Sequence, residues 1–135
     1  KATKKFNIKP EIIDLRSIKP LDFNSIKRSL KKTKRLLVLD TGAKTNSLSS
    51  EIITLVSEND EIILKSKPAR ICMPDYPEPT SYKLTKYFYN NYIDILEKIL
   101  EMFKVTSRKK YINDLKLKNK KTIDDTPGEW FKGPF

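Results

Sequence analysis

Histidine is absent from the 135-residue chain, and cysteine occurs once, as Cys72. Without histidine the commonest general base and the commonest metal ligand are gone, together with every Ser-His or Cys-His nucleophile system. A lone cysteine excludes an internal disulfide and any thiolate-based zinc site. Its setting, Ala69-Arg70-Ile71-Cys72-Met73, is apolar and suits an inert core thiol. Glycine is scarce: Gly42, Gly128 and Gly133 stand alone, so no glycine-rich loop can cradle a phosphate. No apolar run approaches a membrane span and no signal-peptide pattern opens the chain, which points to a reducing, cytoplasmic setting.

What is abundant is lysine. The formal net charge is +11, with arginine confined to positions 16, 28, 35, 70 and 108. Such a balance admits nucleic acid, acidic lipid or an acidic protein as partner and selects none of them. An AT-rich coding sequence accounts for it equally well. The length suits one domain with a tail. Because the chain begins at Lys1, it reads as a piece of a longer protein.

The apolar pattern orders the chain. Residues 1–6 resemble the last turns of a helix, closed by Asn7 in the left-handed conformation. Ile12 to Leu15 read as a short strand, and Lys19 before Pro20 should be extended. Asp22 is placed to cap a helix whose Phe23, Ile26 and Leu30 share a face and which ends near Thr33. Arg35 to Asp40 enclose an unbroken apolar run, Leu36 to Leu39, the mark of a strand buried on both faces in a parallel sheet. A second helix carries Leu48, Ile52, Leu55 and Val56, with N-cap candidates in residues 45–50. Residues 61–65 lean towards strand, and Ala69 to Met73 are a clearer one, stopped by Pro74. The proline-rich stretch after it must cross the surface. Asn91 should cap a closing helix with Ile93, Leu96, Leu100 and Phe103 on one face. Residues 104–121 read as a solvated, flexible basic linker, followed by the aromatic end Trp130 to Phe135.

Several of these strings recur together elsewhere. Asp14-Leu15-Arg16, then Ile18-Lys19-Pro20-Leu21-Asp22, Lys32-Thr33, Arg35 to Leu39, and Pro74-Asp75 stand in the order found in one domain family. The chain over residues 1–103 resembles the C-terminal domain of transketolases and of the β subunits of thiamine-diphosphate-dependent 2-oxoacid dehydrogenases, with 104–135 as linker and tail. The stretch from Pro77 to Leu96 is more similar to the dehydrogenase β subunits, such as that of pyruvate dehydrogenase, than to transketolases. Asp40-Thr41-Gly42 depart from the consecutive acidic residues of many members.

The resemblance implies a three-layer α/β/α fold with a mostly parallel sheet, here without its N-terminal strand and most of the helix after it. It implies an assembly role beside an α subunit, a second β subunit, the rest of its own subunit and an acyltransferase component. Thiamine diphosphate and magnesium belong to the parent enzyme and are held on another domain through a Gly-Asp-Gly motif that this chain lacks. No residue is therefore assigned a catalytic, cofactor or metal role. Interface candidates are Asp14 and Arg16 at a strand end, Asp40, Thr41 and Gly42 at the carboxyl end of a buried strand, and Trp130, Phe131 and Phe135. Each of those aromatics would forfeit burial worth about 2 kcal/mol if left in water. Asp14 and Arg16 also fit a plain polar strand end, and Asp40 to Gly42 fit the ligand edge of an open sheet. Tyr82, Tyr87, Phe88, Tyr89 and Tyr92 suit packing of the proline-rich segment, with base stacking as the rival. Two other functions compete: a transketolase or deoxyxylulose-phosphate-synthase domain, and a basic nucleic-acid-binding module.

Overall fold

The structure, a computed structural model, describes residues 2–85 and 88–118 of the 135. A 3-10 helix over Ala2–Phe6 ends at Asn7, whose φ of 54° is the left-handed closure expected of asparagine. Helix α1 covers Phe23–Thr33, strand β1 Leu37–Ala43, helix α2 Leu48–Ser57 and strand β2 Ala69–Met73. A single turn, α3 (Tyr82–Thr85), precedes α4 (Tyr92–Met102) and α5 (Arg108–Lys118). The two strands pair in parallel, connected through α2.

Local chemistry starts and stops the helices. Asp22 accepts the Ser25 amide at 3.1 Å and caps α1, while Lys34 closes it in the left-handed region and returns its amide to the Leu30 carbonyl. Asn91 and Asp94 form a reciprocal capping box on α4. Ser47 stands at the N-cap of α2 and makes no side-chain capping bond, so that helix start is satisfied from elsewhere.

Two apolar clusters hold the layers. Ile26 and Leu30 of α1 meet Ile52 and Val56 of α2, with Val38 of β1 against them. Ile93, Leu96 and Leu100 of α4 meet Ile8 and Ile112, with Phe6 and Tyr111 packed edge to face at 5.1 Å. Leu37 and Leu39 alternate with Val38 along β1 and turn to its other side.

Three expectations need correction. Ile12 to Leu15 are irregular rather than strand; among the described residues they have no ladder partner, and Ile12 is 87% exposed. Residues 61–65 are irregular rather than strand, held by the Lys65 amide on the Lys34 carbonyl. The basic stretch expected as a flexible linker contains α5, whose Ile112 is 1% exposed. Lys116 also pairs with Glu97 of α4 at 3.2 Å. One apolar face of Tyr111, Ile112 and Leu115 is enough to seat a helix that is polar elsewhere. The Lys19–Pro20 peptide is cis.

Candidate site at the carboxyl ends of the strands

The register of the sheet breaks where the chemistry gathers. Leu37 to Leu39 lie opposite Ala69 to Ile71, but the next matched pair is Ala43 with Met73. Four steps along β1 (39 to 43) thus span two along β2 (71 to 73), a bulge that holds Asp40, Thr41 and Gly42. A bulge re-aims the side chains it carries. Here it turns the Asp40 carboxylate onto the first turn of α2, where it accepts the Ser49 amide at 2.9 Å. Asp40 also accepts the Gly42 amide at 2.8 Å.

These bonds hold the Asp40 carboxyl below its ordinary value. The Gly42 amide is the largest cause, opposed by partial burial and helped by Ser49 and the positive charge of Arg70. Asp40 thus does what Ser47 does not: it satisfies an orphan amide at a helix N-terminus with a negative charge. A Cβ at position 42 would lie 3.2 Å from the Asp40 Oδ1, so glycine leaves that carboxylate its room.

Arg70 of β2 completes the network. Its Nη1 donates to the Lys44 carbonyl at 2.9 Å, to Ser47 Oγ at 3.3 Å and to Ser50 Oγ. Thr45 donates its amide and its hydroxyl to Asp75 at 2.7 and 2.9 Å, which lowers the Asp75 carboxyl below its ordinary value, the amide contributing most. Fully buried Ser49 lies 3.2 Å through its Oγ from Cys72 Sγ, and Asn90 donates to the Cys72 carbonyl at 2.8 Å. The loop after β1 is therefore tied to β2 and to the segment beyond it.

The position is the usual ligand edge of an open α/β sheet. Its polar groups, however, are engaged with one another: Asp40 faces two amides, Arg70 three oxygens, and Asp75 both donors of Thr45. A diphosphate would need free donors here, and its magnesium free oxygens. The residues present do not fit that group. Among the described residues, no three His, Cys, Asp or Glu side chains come together as a metal-binding set. The arrangement is a latch between strand ends and helix start. Nothing in the sequence separation of Asp40 and Ser49, or of Thr45 and Asp75, announces these bonds.

The remaining candidates fall elsewhere. Asp14 and Arg16 pair with each other at 3.0 Å on the surface, with side chains 78% and 90% exposed. Thr41 and Gly42 are exposed on the bulge. Trp130, Phe131 and Phe135 lie outside the described residues, as does Tyr87. Phe88 is buried and packs edge to face on Tyr76 at 5.6 Å and Tyr89 at 5.3 Å. Tyr76 of the proline-rich segment is thus packed on Phe88, ahead of α4 rather than against it. No helix among the described residues is long and apolar enough to cross a membrane.

Comparison with known proteins adds a family. Residues 1–93 match the model of the transketolase C-terminal domain. The chain is similar to the mitochondrial pyruvate dehydrogenase E1 component subunit beta of Chaetomium thermophilum, 42% identical over 81 residues, covering 60% of this chain and 21% of the relative. It is 40% identical over 77 residues to the corresponding subunit of Gracilaria tenuistipitata var. liui, covering 57% of this chain and 24% of that one. With the Mycoplasma pneumoniae subunit it shares 39% over 94 residues, covering 70% and 28%. The chain spans about a quarter of the length of these curated relatives.

Proposed function

Because the chain belongs to the transketolase C-terminal domain family, we propose that it is the assembly domain of a 2-oxoacid dehydrogenase E1 β-type subunit. The parent enzyme decarboxylates a 2-oxoacid on thiamine diphosphate with magnesium and passes the acyl unit to a lipoyl carrier. When bound, that cofactor supplies the carbanion chemistry, and this chain's residues take no step in it. The observation that carries the reading is the family match over residues 1–93 joined to relatives named as pyruvate dehydrogenase β subunits. The self-satisfied polar latch at the strand ends supports a scaffolding role.

The domain would hold its own subunit, an α subunit and a second β subunit together, with the acyltransferase component as a further contact. Residues 1–103 are taken as the family part. Thr41 and Gly42 on the exposed bulge, the Asp14–Arg16 pair and the terminal Trp130, Phe131 and Phe135 are the proposed contact residues. The single cysteine suits a reducing compartment, the cytoplasm on the reading of composition, while some relatives are named as mitochondrial. A basic nucleic-acid-binding module draws less support. Lys27 and Lys31 are engaged by Glu61, and Phe88 is packed rather than presented for stacking.

A chimera tests the proposal. The Mycoplasma pneumoniae β subunit, which shares 94 aligned residues with this chain, is truncated of the matching segment and then restored with this one. The restored subunit should assemble with its α subunit and recover 2-oxoacid-dependent acyl transfer. A chimera that assembles no better than the truncated subunit refutes the assignment. So does saturable one-to-one binding of thiamine diphosphate and magnesium by the 135-residue chain in calorimetry.

A further inference from the structure

Helix α5 opens with three cations, Arg108, Lys109 and Lys110, and has no acid in its first turn. The free amides at the start of a helix carry partial positive charge, so aspartate or glutamate strengthens that turn and lysine or arginine weakens it. Helices α2 and α4 obey the rule, with Glu51 and Asp94 in the same place. A local rule broken in one helix and kept in its neighbours marks a surface that serves something other than the fold.

The surroundings have the same sign. Residues 104–118 hold six cations and a single carboxylate, Asp114. Glu97 engages Lys116, and Glu101 engages Lys98 of α4. Lys104, Lys109 and Lys110 are exposed and pair with no carboxylate among the described residues. The first 3-10 helix extends this face: Lys5 lies 4.5 Å over the Tyr111 ring of α5, and exposed Lys4 stands beside it in the chain. Lys110 and Leu117, about two turns apart, share the side of α5 turned away from buried Ile112. Leu117 is 63% exposed. The face is therefore a set of ammonium groups around one uncovered leucine.

We propose that this face, built by α5 and the 3-10 helix, is a docking surface for an acidic polypeptide segment of a partner protein, one that carries an apolar residue among its carboxylates. The carboxylates neutralise the cations of the first turn, and the apolar residue covers Leu117. Nucleic acid fits less well. Phosphate favours the planar fork of arginine, yet the one arginine here, Arg108, is half-buried among lysines. The one ring, Tyr111, is engaged by Lys5 and Phe6 rather than offered to a base. An anionic membrane needs an apolar stripe, and that of α5 is turned inward through Ile112 and Leu115. A second copy carries the same charge and is repelled. Because α5 lies beyond the family-matched residues 1–93, the surface is separate from the assembly role proposed above.

Fluorescence anisotropy on the 135-residue chain tests the surface at physiological ionic strength. The probe is a labelled synthetic peptide of about 11 residues, the length of α5, with glutamates around a central phenylalanine. It should bind saturably and weaken with added salt. Replacing its phenylalanine by glutamine, or Leu117→Asn in the protein, should weaken binding several-fold. Lys109→Glu with Lys110→Glu should weaken binding roughly tenfold. Because glutamate suits the first turn of a helix, the same variant should slow amide exchange in α5 by about two- to fivefold. Lost binding with a firmer helix separates the surface from unfolding. Lys65→Glu with Lys67→Glu changes the net charge equally at exposed positions elsewhere and should leave binding nearly unchanged. Equal loss from the two double variants reduces the effect to net charge and overturns the proposal. So does absence of saturable binding, or tighter binding of an oligouridylate of equal charge. Deleting residues 119–135 leaves the net charge as it is; a gain in affinity then assigns the face to the chain's own end and also overturns the proposal.

Discussion

Replacing Asp40 by alanine should loosen the start of α2 while sparing the rest of the protein. The carboxylate accepts the Ser49 amide at 2.9 Å and the Gly42 amide at 2.8 Å, and the N-cap residue Ser47 supplies no substitute. Losing an N-cap acceptor costs about 1 kcal/mol, and a hydrogen bond to a charged group about 1.5–3 kcal/mol. Asp40 is only partly buried, so water recovers some of this, and about 2 kcal/mol is the expected local loss. That corresponds to roughly thirtyfold faster exchange of the amides of residues 49–51. Asp40→Asn keeps one acceptor oxygen without the charge and should lose about half as much. The acid dependence follows in sign. The folded carboxyl titrates below its ordinary value of 3.8, so its contribution is complete above that pH and is lost as the pH falls through the depressed value. The alanine variant should lack this acid sensitivity. Exchange at residues 49–51 within about threefold of wild type would refute the reasoning, because a bond that matters to local opening must appear there.

Two further substitutions test the packing and the surface charge. Ile112→Ala should destabilise the chain by about 2–4 kcal/mol in urea unfolding, since the side chain is 1% exposed against Leu100, whereas Leu117→Ala at 63% exposure should stay within about 0.5 kcal/mol. Equal effects would show that α5 is not part of the core. Glu61 accepts from Lys27 and Lys31, the Lys27 bond being the larger cause, and its carboxyl is lowered from 4.5 to about 2. Its contribution is therefore present above pH 4.5 and lost as the pH falls towards 2. Acid titrations of Glu61→Gln and wild type should differ above that window and converge at its lower end, and added salt should shrink the difference. Parallel curves across the window would count against the pairing.

The parts legible in the sequence are those that close on themselves within a few residues. Asp22 with Ser25, and Asn91 with Asp94, are bonds across three positions, and the stripes Ile26–Leu30 and Ile93–Leu96–Leu100 repeat at helical spacing. Residue order also carried the family, because the strings from Asp14 to Asp75 keep their sequence whatever their environment. What the tertiary structure decided is non-local. A strand exists only through its neighbour, so Ile12 to Leu15, apolar and β-prone, remain without one while Ala69 to Met73 find β1. Helix α5 is seated by Tyr111, Ile112 and Leu115 because α4 and the first turns stand ready to cover them. Asp40 reads as an interface residue until a bulge aims it at an amide nine positions away, and Arg70 reaches loop oxygens more than twenty residues earlier. Hydrogen bonds of short span are written in the spacing of residues, whereas those between strand ends depend on where the packed layers bring the chain together.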